Sequence, residues 1–468
     1  MRALMVQGAS SSAGKSLLTT ALARAFHRRG IDVVPFKAQN MSNNARVVAG
    51  GEIGTAQYLQ ALAAGIEPDV RMNPILIKPE GDNQSQVVVL GKPDLELSRL
   101  PWRERPAGLW PVIERSLQSL RAEHELLLLE GAGSPAEINL QDSDLANMRT
   151  AKAADARVIL VADIDRGGAF AHLYGTWALL SEDERALIAG FVLNKFRGDL
   201  ALLPPAPQRL EDLTGVPTLG VLPWLEHGLP DEDGAATPQR GNGRASVAVV
   251  RYPTASNLDE FKQLEQVADL SWLEEANAAD GADLLILPGS KHVAADLDWL
   301  TRTGLAGAVC ERVRRGQRVL AICGGMQMLG ERVEDQAGVD GTADGLGLLA
   351  LSTTFAASKQ TEHTSTRFHP LPEPWAALSE KAFTGYEIRH GQTETTGVVA
   401  EALPQGRGFV AGPVLGIYLH GLFEQPELVS ALFGTPPARS LEQAFDELAD
   451  AVEANLNIDA LLTEIGAA

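Results

Sequence analysis

VQGASSSAGKSLL, residues 6–18, decides the reading of the first half of the chain. An apolar run at 2–7 leads into it and a helical pattern at 15–29 leads out. A strand, a turn of small residues and a helix ending the turn in Gly-Lys-Ser form the context of a phosphate-binding loop. Small side chains let backbone N–H groups face inward around phosphate oxygens, and the helix start adds partial positive charge. Gly8, Ser12 and Gly14 would shape this cradle, Lys15 would reach the outer phosphates of ATP, and the Ser16 hydroxyl would bind Mg²⁺. The loop carries one residue more between its glycines than the commonest form.

Working outward, further apolar runs at 31–36, 126–130, 157–162, 189–193 and 217–221 read as buried parallel strands, with helical patterns such as 109–123 between them. This is an α/β domain with a mostly parallel sheet. Ligands of such sheets sit at the carboxyl ends of strands. Glu130 ends one strand and is placed to help hold Mg²⁺. Asp163-Ile164-Asp165-Arg166-Gly167-Gly168 ends the next, and Asn194-Lys195 the one after. Asn194 reads equally well as a reader of the adenine edge or as a polar loop cap.

Residues 230–245, PDEDGAATPQRGNGRA, carry no apolar period and read as a linker after a 1–229 nucleotide-binding domain. A second α/β series follows over 246–438, with strands at 246–251, 283–288, 317–322 and 414–419 and a helix at 305–315. Residues 353–375 read as an irregular insertion, and 439–468 as a C-terminal helical tail.

The second series contains RVLAICGGMQ, residues 318–327. A cysteine at a strand-to-helix turn with two glycines behind it is a nucleophile elbow with thiol in place of hydroxyl. The helix start would favour the thiolate of Cys323. His420, at the end of the apolar strand LGIYLH, supplies a proton-transfer partner. The Gly324 N–H and the Gly289 loop would form an oxyanion hole. Cys310 lies within a helical pattern and reads as structural.

Composition bounds these readings. The 468 residues allow two or three domains, each with its own core. A formal net charge of −20 argues against a nucleic-acid binder, which needs a basic face. No apolar run is long enough for a membrane span, and the start has no signal-like core. Two cysteines make no disulfide framework, so a reducing cytoplasm is expected.

Taken together, the phosphate loop, KAQNMSNN (37–44), NPILIKP (73–79), EGAGS (130–134), the Asp163–Gly168 segment, GYEIRHG (385–391) and the Cys323 and His420 motifs resemble the glutamine-hydrolysing cobyrinate amidotransferases of the cobyric acid synthase family. The resemblance runs nearly end to end, and the AQNMSNN string is its most specific part. It implies an N-terminal domain of the dethiobiotin synthetase type and a C-terminal class I glutamine amidotransferase-like domain. It further implies amidation of the b, d, e and g carboxylates of adenosylcobyrinic acid a,c-diamide, with ATP, Mg²⁺ and L-glutamine as ammonia donor. Lys37, Lys78, Arg166 and Arg197 flank strand ends; any one of them reads first as ordinary solvated surface charge, and together they are the candidate carboxylate partners of the corrinoid, with Gln39 and Asn40 beside them. One departure stands out. Many class I glutaminases carry Glu two residues after the histidine, and here that position is Leu422. Glu387 and Glu424 are the candidate replacements, or the site is a dyad.

Three alternatives compete. The sister enzyme acting on the a and c carboxylates is expected to carry Asp where this chain has Gln39-Asn40. A ParA/MinD-like ATPase switch would need a lysine early in the phosphate loop, which Ala9–Ala13 lacks, and would leave the second half without a purpose. A cell-wall peptide amidating ligase usually places the two activities on separate chains.

Overall fold

The computed structural model describes residues 2–81, 84–230, 244–276 and 281–466. Most of the expected linker, 231–243, lies outside them.

The N-terminal sheet has six parallel strands in the order Thr218–Pro223, Ile188–Phe196, Arg157–Asp163, Arg2–Gly8, Leu126–Glu130 and Val33–Phe36. Helices cover both faces, which explains why Leu126–Glu130 is buried at every residue and reads as an unbroken apolar run. Arg2–Gly8 lies centrally, so the phosphate loop emerges between Glu130 on one side and Asp163 on the other.

The second sheet has seven strands in the order Ala268–Leu273, Ala245–Val250, Leu284–Leu287, Arg318–Ile322, Val414–Ile417, Gly408–Ala411 and Ala400–Leu403. The first five run parallel and the last two antiparallel. The Cys323 strand and the strand leading to His420 are therefore direct neighbours.

One expectation needs correction. The segment 353–375 is not irregular over its first half. Leu351–Arg367 is one long strand, paired antiparallel with Ala382–Thr395. Its outer part, SKQTEHTSTR, is polar on both faces because one face meets solvent and the other meets polar groups of the N-terminal half. There His363 Nε2 lies 2.6 Å from the Val47 carbonyl, and Lys359 pairs with Glu52 at 2.6 Å. The tail is helical as expected: two helices, Leu441–Asn455 and Ile458–Glu464, pack on the first domain. Phe445, Leu448 and Val452 share a core with Leu18, Leu22 and Phe26 of the helix Lys15–Arg28. Arg24 and Arg28 pair with Asp446 and Asp450 on its rim.

Smaller elements join the two halves. A sheet of Gln39–Met41, Ile75–Gly81, Gln84–Val89 and Lys92–Asp94 and a hairpin of Ala45–Val48 with Gly51–Gly54 are inserted between Val33–Phe36 and Leu126–Glu130 of the first sheet, and the hairpin packs on the strands Leu351–Arg367 and Ala382–Thr395 of the second half.

Candidate active sites

The phosphate loop borders a cavity of about 830 Å³. Ser12, Gly14, Lys15 and Ser16 line it on one side and Gly133 and Ser134 on the other. Gly14 has φ 92°, and a methyl group there would collide with the Asn194 side chain. The Gly14 position thus requires glycine on two counts. Lys15 Nζ donates to the Gly133 carbonyl at 3.2 Å.

Glu130 is fully buried beneath this loop. Its Oε1 accepts from the Ser16 hydroxyl at 2.7 Å and from Lys37 Nζ at 2.8 Å, and its Oε2 accepts from Gln60 at 2.5 Å. This arrangement bears on Mg²⁺. A serine hydroxyl that gives its proton to a carboxylate turns its lone pairs outward, toward the cavity. Oxygen donors suit a hard cation that also takes phosphate oxygens and water. Ser16 fits as a direct ligand. Glu130, with an ammonium already on Oε1, fits as the group that orients Ser16.

Asn194 is tied to the loop. Its Nδ2 donates to the Ala13 carbonyl at 2.9 Å, and its Oδ1 accepts from the Lys195 N–H. The side chain braces the loop, the part a polar cap plays. Gly8 starts the turn without facing the cavity; a methyl there would press on the Ser10 carbonyl and Lys15.

Of the expected corrinoid contacts, Lys37, Gln39, Asn40 and Arg166 line the cavity. Arg197 does not; its guanidinium lies over the Trp224 ring at 3.8 Å and pairs with Asp165 at 3.6 Å. Arg251, from the second half of the chain, lines the cavity and was not anticipated.

Lys78 is placed elsewhere. It is buried beside Glu52, at 2.6 Å, and lines a second, polar pocket together with Asn43, Lys291, Lys359, Cys323 and His420. Burial, followed by repulsion from Lys359 and Lys291, outweighs the attraction of Glu52 and lowers the Lys78 pKa to about 7. The pKa of its neighbour Glu52 is lowered as well: burial opposes the charge, but Lys359 and Lys78 outweigh it and hold the carboxylate ionised.

In this pocket Cys323 occupies a strained turn, with φ 51° and ψ −110°. A residue in that region persists only where its surroundings enforce it. Here they are the preceding strand, the glycines and the loop Pro288–Ser290. Gly325 N–H donates to the Pro288 carbonyl at 3.0 Å, and a methyl on Gly324 would meet Ser290 N at 2.7 Å. A methyl on Gly289 would stand 3.0 Å from His420 Cε1. Both expected oxyanion glycines thus border the Cys323–His420 pair. The thiol lies 3.6 Å from the Ile388 carbonyl. Cys310 lies apart, on the helix Leu305–Arg314.

The histidine has an acid partner, and it is neither expected candidate. Glu260 Oε1 lies 2.9 Å from His420 Nδ1, and Glu260 Oε2 accepts the Gly421 N–H at 2.9 Å. Burial opposes a charged imidazole, but the Glu260 carboxylate and the hydrogen-bonded Cys323 outweigh it, and the His420 pKa rises to about 10. Glu387 instead holds Arg389 and Arg407, at 2.8 and 2.6 Å. Glu424 pairs with Arg46 at 2.5 Å.

The two pockets meet at one segment. Gln39–Ser42 line the nucleotide cavity, Asn43 lines the Cys323 pocket, and Asn44 Oδ1 accepts the Leu258 N–H of the second half at 3.1 Å.

Known proteins match on both halves. Residues 4–230 match the CobQ/CobB/MinD/ParA nucleotide binding domain, and 246–428 the CobB/CobQ-like glutamine amidotransferase domain. A cobyric acid synthase of a Polaromonas species is 53% identical, covering 97% of this chain and 96% of its own length. That of Variovorax paradoxus is 54% identical over 97% of each chain. That of an Acidovorax species is 55% identical, over 96% of this chain and 94% of its own. The nucleotide-binding model alone spans switch ATPases and amidases alike; the amidotransferase half and the full-length relatives separate them. A phosphate loop and a cysteine elbow on one chain, with relatives more than half identical from end to end, place the chain in the cobyric acid synthase family.

Proposed function

We propose that the chain converts the b, d, e and g carboxylates of adenosylcobyrinic acid a,c-diamide into amides, using ATP and glutamine, with the two half-reactions divided between its two pockets. The observation that carries this reading is the 39–43 segment, which borders both pockets at once.

In the first pocket a substrate carboxylate oxygen attacks the γ-phosphorus of ATP, and ADP leaves, giving an acyl phosphate. Lys15 and the loop amides stabilise the charge on the transferred group. Mg²⁺, when bound, neutralises phosphate charge; Ser16 would hold it, oriented by Glu130. Lys37, Gln39, Asn40, Arg166 and Arg251 offer donors for a polyanionic corrinoid on the cavity wall.

In the second pocket the Cys323 thiolate attacks the glutamine amide carbon, since the thiolate is the nucleophilic form. The Gly324 and Gly289 region receives the oxyanion. His420 gives its proton to the amide nitrogen as the C–N bond breaks, and ammonia leaves. The neutral imidazole then takes a proton from the water that opens the thioester and releases glutamate. Glu260 keeps the imidazole oriented and stabilises its charge, the part an acid plays in such triads. Ammonia reaches the acyl phosphate inside the protein and displaces phosphate. A cytoplasmic setting suits the free thiol. No helix among the described residues is long and apolar enough to cross a membrane.

Mass spectrometry of corrinoid products after incubation with ATP, Mg²⁺ and glutamine tests the reading. Successive mass decreases, each hydroxyl becoming an amino group, support it with the a,c-diamide as substrate. Conversion of the unamidated acid alone would favour the sister enzyme.

A further inference from the structure

His420 is held from two sides. Glu260 binds its Nδ1, and the Tyr386 ring stacks on the imidazole, with centroids 5.2 Å apart and planes 20° from parallel. The His420 N–H also donates to the Tyr386 carbonyl at 2.9 Å. Both supports converge on a single residue from the other half of the chain. Arg46 Nη1 donates to the Tyr386 hydroxyl at 2.7 Å, and Nη2 donates to Asp259, the residue preceding Glu260. The Arg46 side chain is 4% exposed and that of Asp259 is fully buried. Asn257 completes the clamp, donating to the Tyr386 hydroxyl and to the Ala45 carbonyl at 2.9 and 2.8 Å.

Arg46 stands just beyond the segment that lines the nucleotide cavity. A second contact reaches the same acid from that cavity: Thr55, on its wall, donates to Asp259 Oδ2 at 3.2 Å. A buried ion pair is not in itself a gain in stability, and apolar residues would fill such a space at less cost. A guanidinium differs in offering several donors in one rigid plane, which fixes the directions of its partners. Here those partners are Tyr386 and Asp259, on the two elements that hold the histidine, and Glu424, four residues beyond it.

We propose that Arg46 is a positioning residue for glutamine hydrolysis, fixing Tyr386 and the Asp259–Glu260 turn so that His420 is aligned only while the segment lining the nucleotide cavity is seated against the glutaminase half. This rests on the assignment of glutamine hydrolysis to Cys323 and His420.

The experiment uses the full-length protein with Arg46→Met, Arg46→Lys, Tyr386→Phe and Cys323→Ala. Glutamate release gives kcat and KM for glutamine, and corrinoid amidation is followed with ammonium chloride in place of glutamine. Arg46→Met is expected to lower the glutaminase kcat about tenfold or more, with KM and the ammonia-dependent rate within about twofold of wild type. Arg46→Lys recovers part of the loss. Tyr386→Phe, which removes only the hydroxyl that Arg46 addresses, lowers kcat by about threefold or more, and adds less than its own effect on the Arg46→Met background. Wild-type kcat in both Arg46→Met and Tyr386→Phe would overturn the proposal. So would equal loss of the glutamine- and ammonia-dependent rates. If Arg46→Met does not fold, Tyr386→Phe decides alone, and an unchanged kcat there refutes the role. Glutamine hydrolysis surviving in Cys323→Ala would instead defeat the underlying site assignment.

Discussion

Glu260 Oε1 and His420 Nδ1 lie 2.9 Å apart, both fully enclosed in the second half of the chain. The same carboxylate takes the next backbone N–H, that of Gly421, so its position relative to the ring is fixed at two points. This geometry selects the tautomer with the proton on Nδ1 and leaves Nε2 for chemistry. Glu260→Gln keeps the shape but removes the charge. Glutamine-dependent amidation should fall by about 10²–10⁴-fold, the scale seen when a triad acid is lost, with ammonia-dependent amidation retained. Glu387→Gln serves as the comparison, since that acid binds Arg389 and Arg407. If it proved the more damaging of the two to glutamate release, Glu260 would not be the orienting acid.

The same pair sets a pH dependence. The His420 pKa rises from 6.5 to about 10 in the folded protein. A raised pKa means the folded state binds the proton more tightly than the unfolded chain. The resulting stability is fully present below pH 6.5 and is lost as pH rises through about 10. The melting-temperature advantage of wild type over His420→Asn should therefore shrink steadily across that window. A gap that stayed constant or widened would contradict the charged pairing.

Beneath the phosphate loop, Lys37 and Glu130 form an ion pair with side chains 4% and 0% exposed. Removing one partner leaves a buried charge uncompensated. Lys37→Met should destabilise the protein by about 3–5 kcal/mol. Glu130→Gln on that background should cost less than it does alone, which a double-mutant cycle of denaturation midpoints measures.

Gly14 is constrained by its positive φ and by Asn194. Gly14→Ala should weaken ATP binding by about tenfold or more while glutamine hydrolysis in the second pocket continues. Titration calorimetry with ATP and a glutamate assay separate the two effects.

Much of the fold was legible because parallel strands buried on both faces appear as unbroken apolar runs. Leu126–Glu130 and Arg157–Asp163 are examples. The phosphate loop and the Cys323 elbow were legible because each is a local device, complete within a dozen residues. What was hidden is tertiary. Glu260 sits in LDEFKQLEQ, which looks like an ordinary polar surface turn, and only the packing of that turn against Gly421 reveals its task. Glu424 was a reasonable guess from proximity to His420, but its carboxylate is taken by Arg46. The long strand Leu351–Arg367 lacks an apolar period because its outer part meets a polar neighbour. Lys78 seemed a substrate contact by its place after a strand, yet that strand belongs to a small sheet facing the cysteine pocket. The tail's amphipathic pattern was visible, but not that its apolar face belongs to the first domain.

The proposed division of labour lies between two pockets joined by the 39–43 segment. Cys323→Ala tests it most directly, with corrinoid amidation followed by mass spectrometry in parallel reactions containing glutamine or ammonium chloride. The account predicts no amidation with glutamine and amidation at the wild-type rate with ammonia. Loss of both in a folded variant that still binds ATP, or survival of the glutamine-dependent reaction, would contradict it.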